Sequence, residues 1–195
     1  DAFAEQAARD WEAILAQRAR ELKPGGQFVL ANFAVDKDDQ FLGKSLRVEA
    51  SMHHTFGELW RGVGGDAVFE KTNFPNQYRT LDECVAPFGE RAGATAAGLE
   101  LYSAETDLVP CPFHAEWVQG LVKDPKVQAA NFVPTTRTWS NSTFVAGAMA
   151  AGHSREAAAA LADEMFKQYE ERVAQAPEKH AMDYVHSYVH FGKAP

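Results

Sequence analysis

Residues 18–35 read Arg18-Ala19-Arg20-Glu21-Leu22-Lys23-Pro24-Gly25-Gly26-Gln27-Phe28-Val29-Leu30-Ala31-Asn32-Phe33-Ala34-Val35. Two kinds of backbone meet in this stretch. Upstream of it Phe3, Ala7, Trp11, Ile14 and Leu15 lead into Ala19 and Leu22 at helical spacing, with charges mostly on the opposite side. Pro24 blocks continuation of that helix, and the two glycines allow the backbone to turn. Residues 27–35 are then almost entirely apolar. A short continuous apolar run suits a strand covered on both faces, as in parallel sheets. Asp36-Lys37-Asp38-Asp39 follows as a solvated turn. Helix, turn and buried strand together predict one αβ unit of a doubly wound α/β sheet.

Working outward, residues 41–76 break that rhythm. A short helix is predicted within 46–62, weakened by Gly57 and ended by Gly62, Gly64 and Gly65. Thr80-Leu81-Asp82-Glu83 is a capping-box pattern, so a short helix is expected over 81–86, before Pro87. Leu99–Val109 reads as a strand, with Leu99, Leu101 and Ser103 on one face and Glu100 and Tyr102 on the other. A short helix over 113–123 and an irregular segment over 131–142 come next. Ser154 can cap a long helix whose stripe is Leu161, Met165, Phe166, Tyr169 and Val173, closed by Pro177. Tyr184 to Phe191 alternates and predicts a final strand.

Composition narrows the function. The 195 residues are 46% hydrophobic and 24% charged, ordinary for a globular domain. A net charge of -8 and a pI near 5.3 argue against nucleic acid, which is met by a basic face. No two Lys or Arg residues are adjacent, so no polybasic membrane patch forms, and no apolar run reaches the roughly 20 residues of a membrane span. Two cysteines, Cys84 and Cys111, are too few for a disulfide framework, and a reducing cytoplasm is the expected compartment. Asp1 opens directly into the helical pattern without an initiator Met, as expected of a chain cut from within a longer domain.

Familiar catalytic signatures are missing. There is no Cys-x-x-Cys, His-Glu-x-x-His, Gly-x-Ser-x-Gly or phosphate-binding glycine loop. His186 and His190 share a strand face, but four residues of strand separate them by about 13 Å. That is too far for one zinc, whose ligands lie at about 2 Å. His53 and His54 are neighbours that either cover a pocket or simply face water. Trp60, Trp117 and Trp139 fall outside the α/β pattern, where they pack helices together or line an apolar pocket. Asn32 interrupts the apolar strand near its carboxyl end, where open α/β sheets place their ligands.

Several of these segments, in order, resemble the plant-type carboxyl methyltransferases known as the SABATH family. Phe3-Ala4-Glu5-Gln6, Asp10-Trp11-Glu12-Ala13-Ile14-Leu15 and the run from Arg18 to Gly26 are similar to that family's helix and its turn into a strand. Asn73-Phe74-Pro75-Asn76-Gln77-Tyr78 resembles its Asn-x-Pro-x-Tyr segment with one residue inserted. Residues 137–144, the helix over 161–169 and Tyr188-Val189-His190-Phe191-Gly192-Lys193 resemble a late cap segment and the closing strand.

The resemblance implies the C-terminal strands of a Rossmann-like class I methyltransferase sheet with a helical cap insertion. It implies helix and strand of the core at 1–40, cap at 41–92, a core strand at 93–110, cap again at 111–152, and a core helix and strand at 153–195. The half that grips the cofactor would precede Asp1, leaving the cofactor-binding residues unassigned. S-adenosylmethionine is the implied methyl donor and a small carboxylic acid the implied acceptor. No nucleic acid or membrane is implied, and a homodimer is allowed. Related acceptors would be a nitrogen or a phenol, and the reading from another class is a non-catalytic binding or scaffold domain. By position, Met52, His53, His54, Tyr78, Thr136, Trp139 and Tyr184 would line the acceptor pocket. Glu70-Lys71-Thr72-Asn73 occupies the place of a magnesium segment, making Glu70, Thr72 and Asn73 the implied ligands of Mg2+. No catalytic dyad is required, since a carboxylic acid with a pKa near 4 is already ionised at pH 7.

Overall fold

The computed structural model describes residues 2–90 and 92–195. In chain order the elements are α1 (Ala2–Glu21), β1 (Gln27–Ala34), β2 (Ala50–Ser51), α2 (Met52–Lys71), α3 (Leu81–Val85) and α4 (Gly93–Ala96). Then come β3 (Leu99–Val109), α5 (Pro112–Val118), α6 (Pro125–Ala150), α7 (Arg155–Gln175), β4 (His180–Ala181) and β5 (Tyr184–Lys193). They form a mixed α/β chain of two compact units. The sheet unit comprises residues 1–42, 76–109 and 184–195, and the helical unit residues 43–75 and 110–183.

In the sheet unit the strand order is β1-β5-β3. The last strand lies in the middle and runs antiparallel to both neighbours, so β1 and β3 point the same way. One face packs on α1, α3 and α4 through Trp11, Leu15, Ala19, Cys84, Ala94, Leu99, Val189 and Phe191. The indole of Trp11 donates to the Cys84 carbonyl at 2.9 Å, fastening α1 to α3. α3 begins with the expected capping box, the Thr80 side chain accepting from Glu83 N–H and the Glu83 carboxylate from Thr80 N–H.

The other sheet face is not covered as the apolar run had implied. Val29 is 69% exposed and Phe33 47%, because β1 alternates inward Phe28, Leu30 and Ala34 with outward Val29, Ala31 and Phe33. An apolar run records burial propensity but not the direction of the partner strand. Here the partner is antiparallel, a pairing that tolerates one open face. In β3 the register shifts between Leu101 and Ser103, and the Tyr102 ring reaches His190 at 5.0 Å on the open face. The strict alternation read from Leu99 to Ser103 therefore does not hold.

The helical unit is built on α2, α6 and α7 around Phe56, Leu59, Trp60, Phe132, Phe144, Phe166 and Tyr169. Two sequence expectations are revised here. α2 starts at Met52 and runs on to Lys71, broken only where Gly65 adopts φ 75° and ψ 173°. Residues 131–142 are not irregular but lie inside α6, which continues through Pro134. Its Thr and Ser hydroxyls turn back onto helix carbonyls, Thr135 to Asn131, Thr138 to Pro134 and Ser140 to Thr136. Such side chains depress helix propensity in isolation. The buried row Gln128, Phe132, Thr136, Ser140, Phe144 and Ala148 restores the helix by packing. α7 forms as expected, with the Ser154 hydroxyl accepting from Ala157 N–H.

Gly147 marks where α6 meets the end of α2. A methyl group there would lie 2.7 Å from Thr72 Cβ and 2.8 Å from Thr72 Cα, distances that require the backbone to shift. Gly147→Ala is expected to destabilise the fold by about 1–3 kcal/mol. Gly62→Ala, where the same methyl meets nothing within 4 Å, should be neutral or stabilising by up to about 1 kcal/mol. Urea unfolding of the two variants checks this, and equal midpoints would contradict the close approach.

Candidate functional site

The most constrained polar centre is a carboxylate. Asp183 is fully buried, and its side chain accepts from the Ser45 hydroxyl at 2.7 Å, from Arg47 at 3.0 and 3.1 Å, and from Cys111 N–H at 2.7 Å. Its own carbonyl accepts from Gly43 N–H at 2.7 Å. Burial alone would raise this carboxyl. The Arg47 guanidinium and the Cys111 and Ser45 donors outweigh it and hold the group below the usual carboxylate range. Asp183 stays charged and saturated with donors, so it organises structure and is not poised to take a proton. Cys111 beside it is pushed upward by burial and is an unreactive thiol.

The helical unit contains most of the residues singled out from sequence. Met52 is buried in the core, and Thr136 is fully buried with its hydroxyl donating to the Val133 carbonyl at 2.8 Å. Both are packed into the unit. His53 and His54 are exposed at the start of α2, their rings 5.7 Å apart, and His54 Nδ1 lies 3.0 Å from the Ser51 hydroxyl. Trp139 is 38% exposed with its ring 6.1 Å from Phe74. The structure therefore brings Trp139 to Phe74 and His54 to Ser51, two separate pairings.

Tyr78 and Tyr184 belong to the sheet unit. Tyr78 stacks on Phe41 at 5.1 Å and accepts from the Asn76 amide at 3.1 Å; burial pushes its phenol upward. Tyr184 rests on Phe33 and His186, at 5.5 and 4.8 Å.

The magnesium segment has no matching donor set. Thr72 Oγ1 accepts from the Trp60 indole at 2.8 Å and donates to the Val68 carbonyl at 2.9 Å, which commits it to closing α2. Among the described residues no group of three or more His, Cys, Asp or Glu side chains converges. No chemistry is routed through a metal at Glu70, Thr72 and Asn73.

Sequence reading missed a cavity of about 450 Å³ in the sheet unit. It opens beyond the carboxyl ends of β1 and β3, the codirectional strands, where open α/β sheets bind ligands. Val35, Leu81, Leu108 and Val185 supply apolar wall. Asp36, Lys37, Asp82 and Asp107 supply charge. The Asp36 carboxylate is consumed locally, accepting from Asp38 N–H, Gln40 N–H and the Gln40 amide, each at 2.9 Å. The remaining carboxylates make the cavity suited to a hydrogen-donating or cationic group and unsuited to an anion. The signal for it was the position of Asp36 just past a strand, which also reads as an ordinary polar turn.

No family model matches the chain, and no curated protein matches it either.

Asparagine at 183 would replace one acceptor oxygen by an NH2 donor, so the four donors from Ser45, Arg47 and Cys111 would no longer all find partners. Asp183→Asn is expected to cost about 3 kcal/mol or more in denaturant unfolding. The folded pKa lies below the unfolded one, so the carboxylate contributes fully above the unfolded value near 3.8 and less as pH falls below it. The variant should therefore lose the part of the acid-induced destabilisation that Asp183 carries. An unchanged midpoint at neutral pH would remove Asp183 from its organising role.

Proposed function

We propose that the chain is part of an S-adenosylmethionine-dependent methyltransferase that forms the methyl ester of a small carboxylic acid. The observation that carries this reading is the arrangement of the sheet unit. α1 runs through the Pro24-Gly25-Gly26 turn into β1, β1 and β3 are codirectional, and a single reversed strand, β5, joins them. Doubly wound sheets commonly combine parallel strands with one antiparallel strand near an edge. Beyond β1 the only pairing among the described residues is the parallel bridge Ala34–Arg79, which leaves that edge able to take further parallel strands. The residues of the helical unit enter the chain after β1 and again after β3, the order expected of a cap insertion in a Rossmann-like sequence.

The donor supplies an electrophilic methyl group. No glycine-rich strand–turn occurs in these 195 residues, so they do not fit the adenosine end of that cofactor, and no step is assigned to it. What the chain's own residues would contribute is on the acceptor side. A carboxylic acid needs no base at pH 7. It needs exclusion of water and alignment, work of positioning that aromatic walls perform. Trp139 with Phe74 is a partly exposed aromatic pair of the helical unit suited to it. The acidic cavity of the sheet unit is not assigned to the acceptor carboxylate.

The test is transfer of tritiated methyl from S-adenosylmethionine to a panel of small aromatic and aliphatic acids by the product of the whole gene. Carboxyl methyl esters hydrolyse in mild base and release volatile tritiated methanol. Label that is volatile after base treatment is the expected result. Label stable to base would move the acceptor to a nitrogen or a phenol. Absence of transfer, together with absence of binding by calorimetry, would leave a non-catalytic binding domain. The 195-residue chain alone should bind S-adenosylmethionine no more tightly than millimolar.

A further inference from the structure

The helical unit contains three buried polar atoms without a protein partner. They are the Tyr169 hydroxyl, Nδ1 of His180 and Oε1 of Gln128. Their residues are 0, 6 and 2% exposed. Most orphaned groups of this kind in a folded protein are satisfied by an internal molecule.

A chain of contacts links the three residues. The Tyr169 ring, from α7, stands 5.8 Å from the His180 ring of β4. On its other side it stands 5.9 Å from Phe132 of α6. Gln128 lies one helical turn before Phe132 and donates its Nε2 to the Phe113 carbonyl at 2.7 Å. Phe113 in turn is 5.7 Å from Phe132. That hydrogen bond fixes the amide orientation, because a flipped amide would oppose two oxygens. Oε1 is thus an acceptor with nothing to accept. His180 is held neutral in the fold: burial, with help from Arg172, lowers its pKa to about 4. A neutral ring has one donor and one acceptor nitrogen, and Nδ1 is the acceptor in the tautomer that carries its proton on Nε2. The Tyr169 phenol stays protonated, since burial raises it well above its ordinary value. It remains a donor.

We propose that Tyr169, His180 and Gln128 enclose a binding site for one internal water molecule, which bridges α6, α7 and β4. The chemistry matches one to one. Water accepts from the Tyr169 hydroxyl and donates to His180 Nδ1 and Gln128 Oε1. Three hydrogen bonds is the usual complement of a buried water. A cation is disfavoured by the absence of any carboxylate among the three groups, and an anion by the presence of two acceptors and only one donor.

The site is tested on the intact chain by water-to-protein cross-relaxation in solution and by a high-resolution crystal structure. The expected result is one long-lived water giving exchange-independent transfer to the Tyr169 and His180 side chains, and one density peak within hydrogen-bond distance of all three atoms. A dry site, or a direct Tyr169–His180 hydrogen bond in its place, overturns the proposal. Variants supply an independent reading. Tyr169→Phe removes a hydroxyl and little volume. A hydroxyl without a partner would make that change neutral or stabilising, whereas loss of the bridge lowers the melting temperature by about 2–4 °C. The Tyr169→Phe effect should shrink by at least half in a Gln128→Met background, because the bridge is already broken there. An undiminished effect would show that the two residues do not share a ligand.

Discussion

A carboxylate sealed from water is tolerable only when every lone pair is met, and in the helical unit Asp183 imposes that condition on three separate stretches of chain. The loop at Gly43, Ser45 and Arg47 must arrive at one side, and the amide of Cys111, just before α5, must arrive at another. β4 ends two residues before Asp183, and its parallel pairing with β2 places Ala50–Ser51 beside it. α2 starts at the next residue. Hydrophobic burial around Phe56, Trp60 and Phe144 supplies most of the driving force for the unit. It does not choose between registers, and a charge that must be neutralised does.

The sheet unit is organised differently. Its core is a one-sided layer, Trp11, Leu15 and Ala19 of α1 against Phe191 and Val189 of β5, with a single indole donor at Cys84 as its polar fixture. The opposite face carries Tyr184, His186, Tyr188 and His190 in a row, with His186 standing between Phe33 and Asp107. The first three meet tilted or edge-on, with the His186 ring 4.8 Å from Tyr184 and 5.8 Å from Tyr188. Phe33 of β1 against Tyr184 and His186, and Tyr102 of β3 against His190, add cross-strand contacts of the kind that stabilise a sheet.

What could be read in advance follows from the range of the forces involved. α1, the turn at Pro24 and β1 were legible because periodicity, a missing N–H and a run of apolar residues are all local. The caps at Thr80 and Ser154 were legible for the same reason. α6 was not, because Thr135, Thr136, Thr138 and Ser140 argue locally against a helix that long-range packing on α7 then supports. Asp183 was invisible altogether. It stands between Met182 and Tyr184 like any polar residue ahead of a strand, and its Ser45 and Arg47 partners lie 138 and 136 residues away. Among the candidate site residues, Met52 and Thr136 lie within the core. Trp139 keeps an open edge, and only the fold shows which neighbour it meets.

The central position of β5 also has a temporal meaning. Its residues are made after those of β1 and β3, and Gln27 must wait for His190, 163 residues later, to close their hydrogen bond. Until then β1 and β3 have no common neighbour, while nearly all of the helical unit has already been synthesised. Pairings of such sequence separation form slowly, since loop closure precedes any reward from contact. Val29 and Phe33 are therefore carried through synthesis on an unpaired strand, the stage at which chaperones and proteases inspect a nascent chain. Deleting the ten residues of β5, Tyr184–Lys193, would leave β1 and β3 without a common neighbour, so that quality control of the sheet unit rests on that one strand.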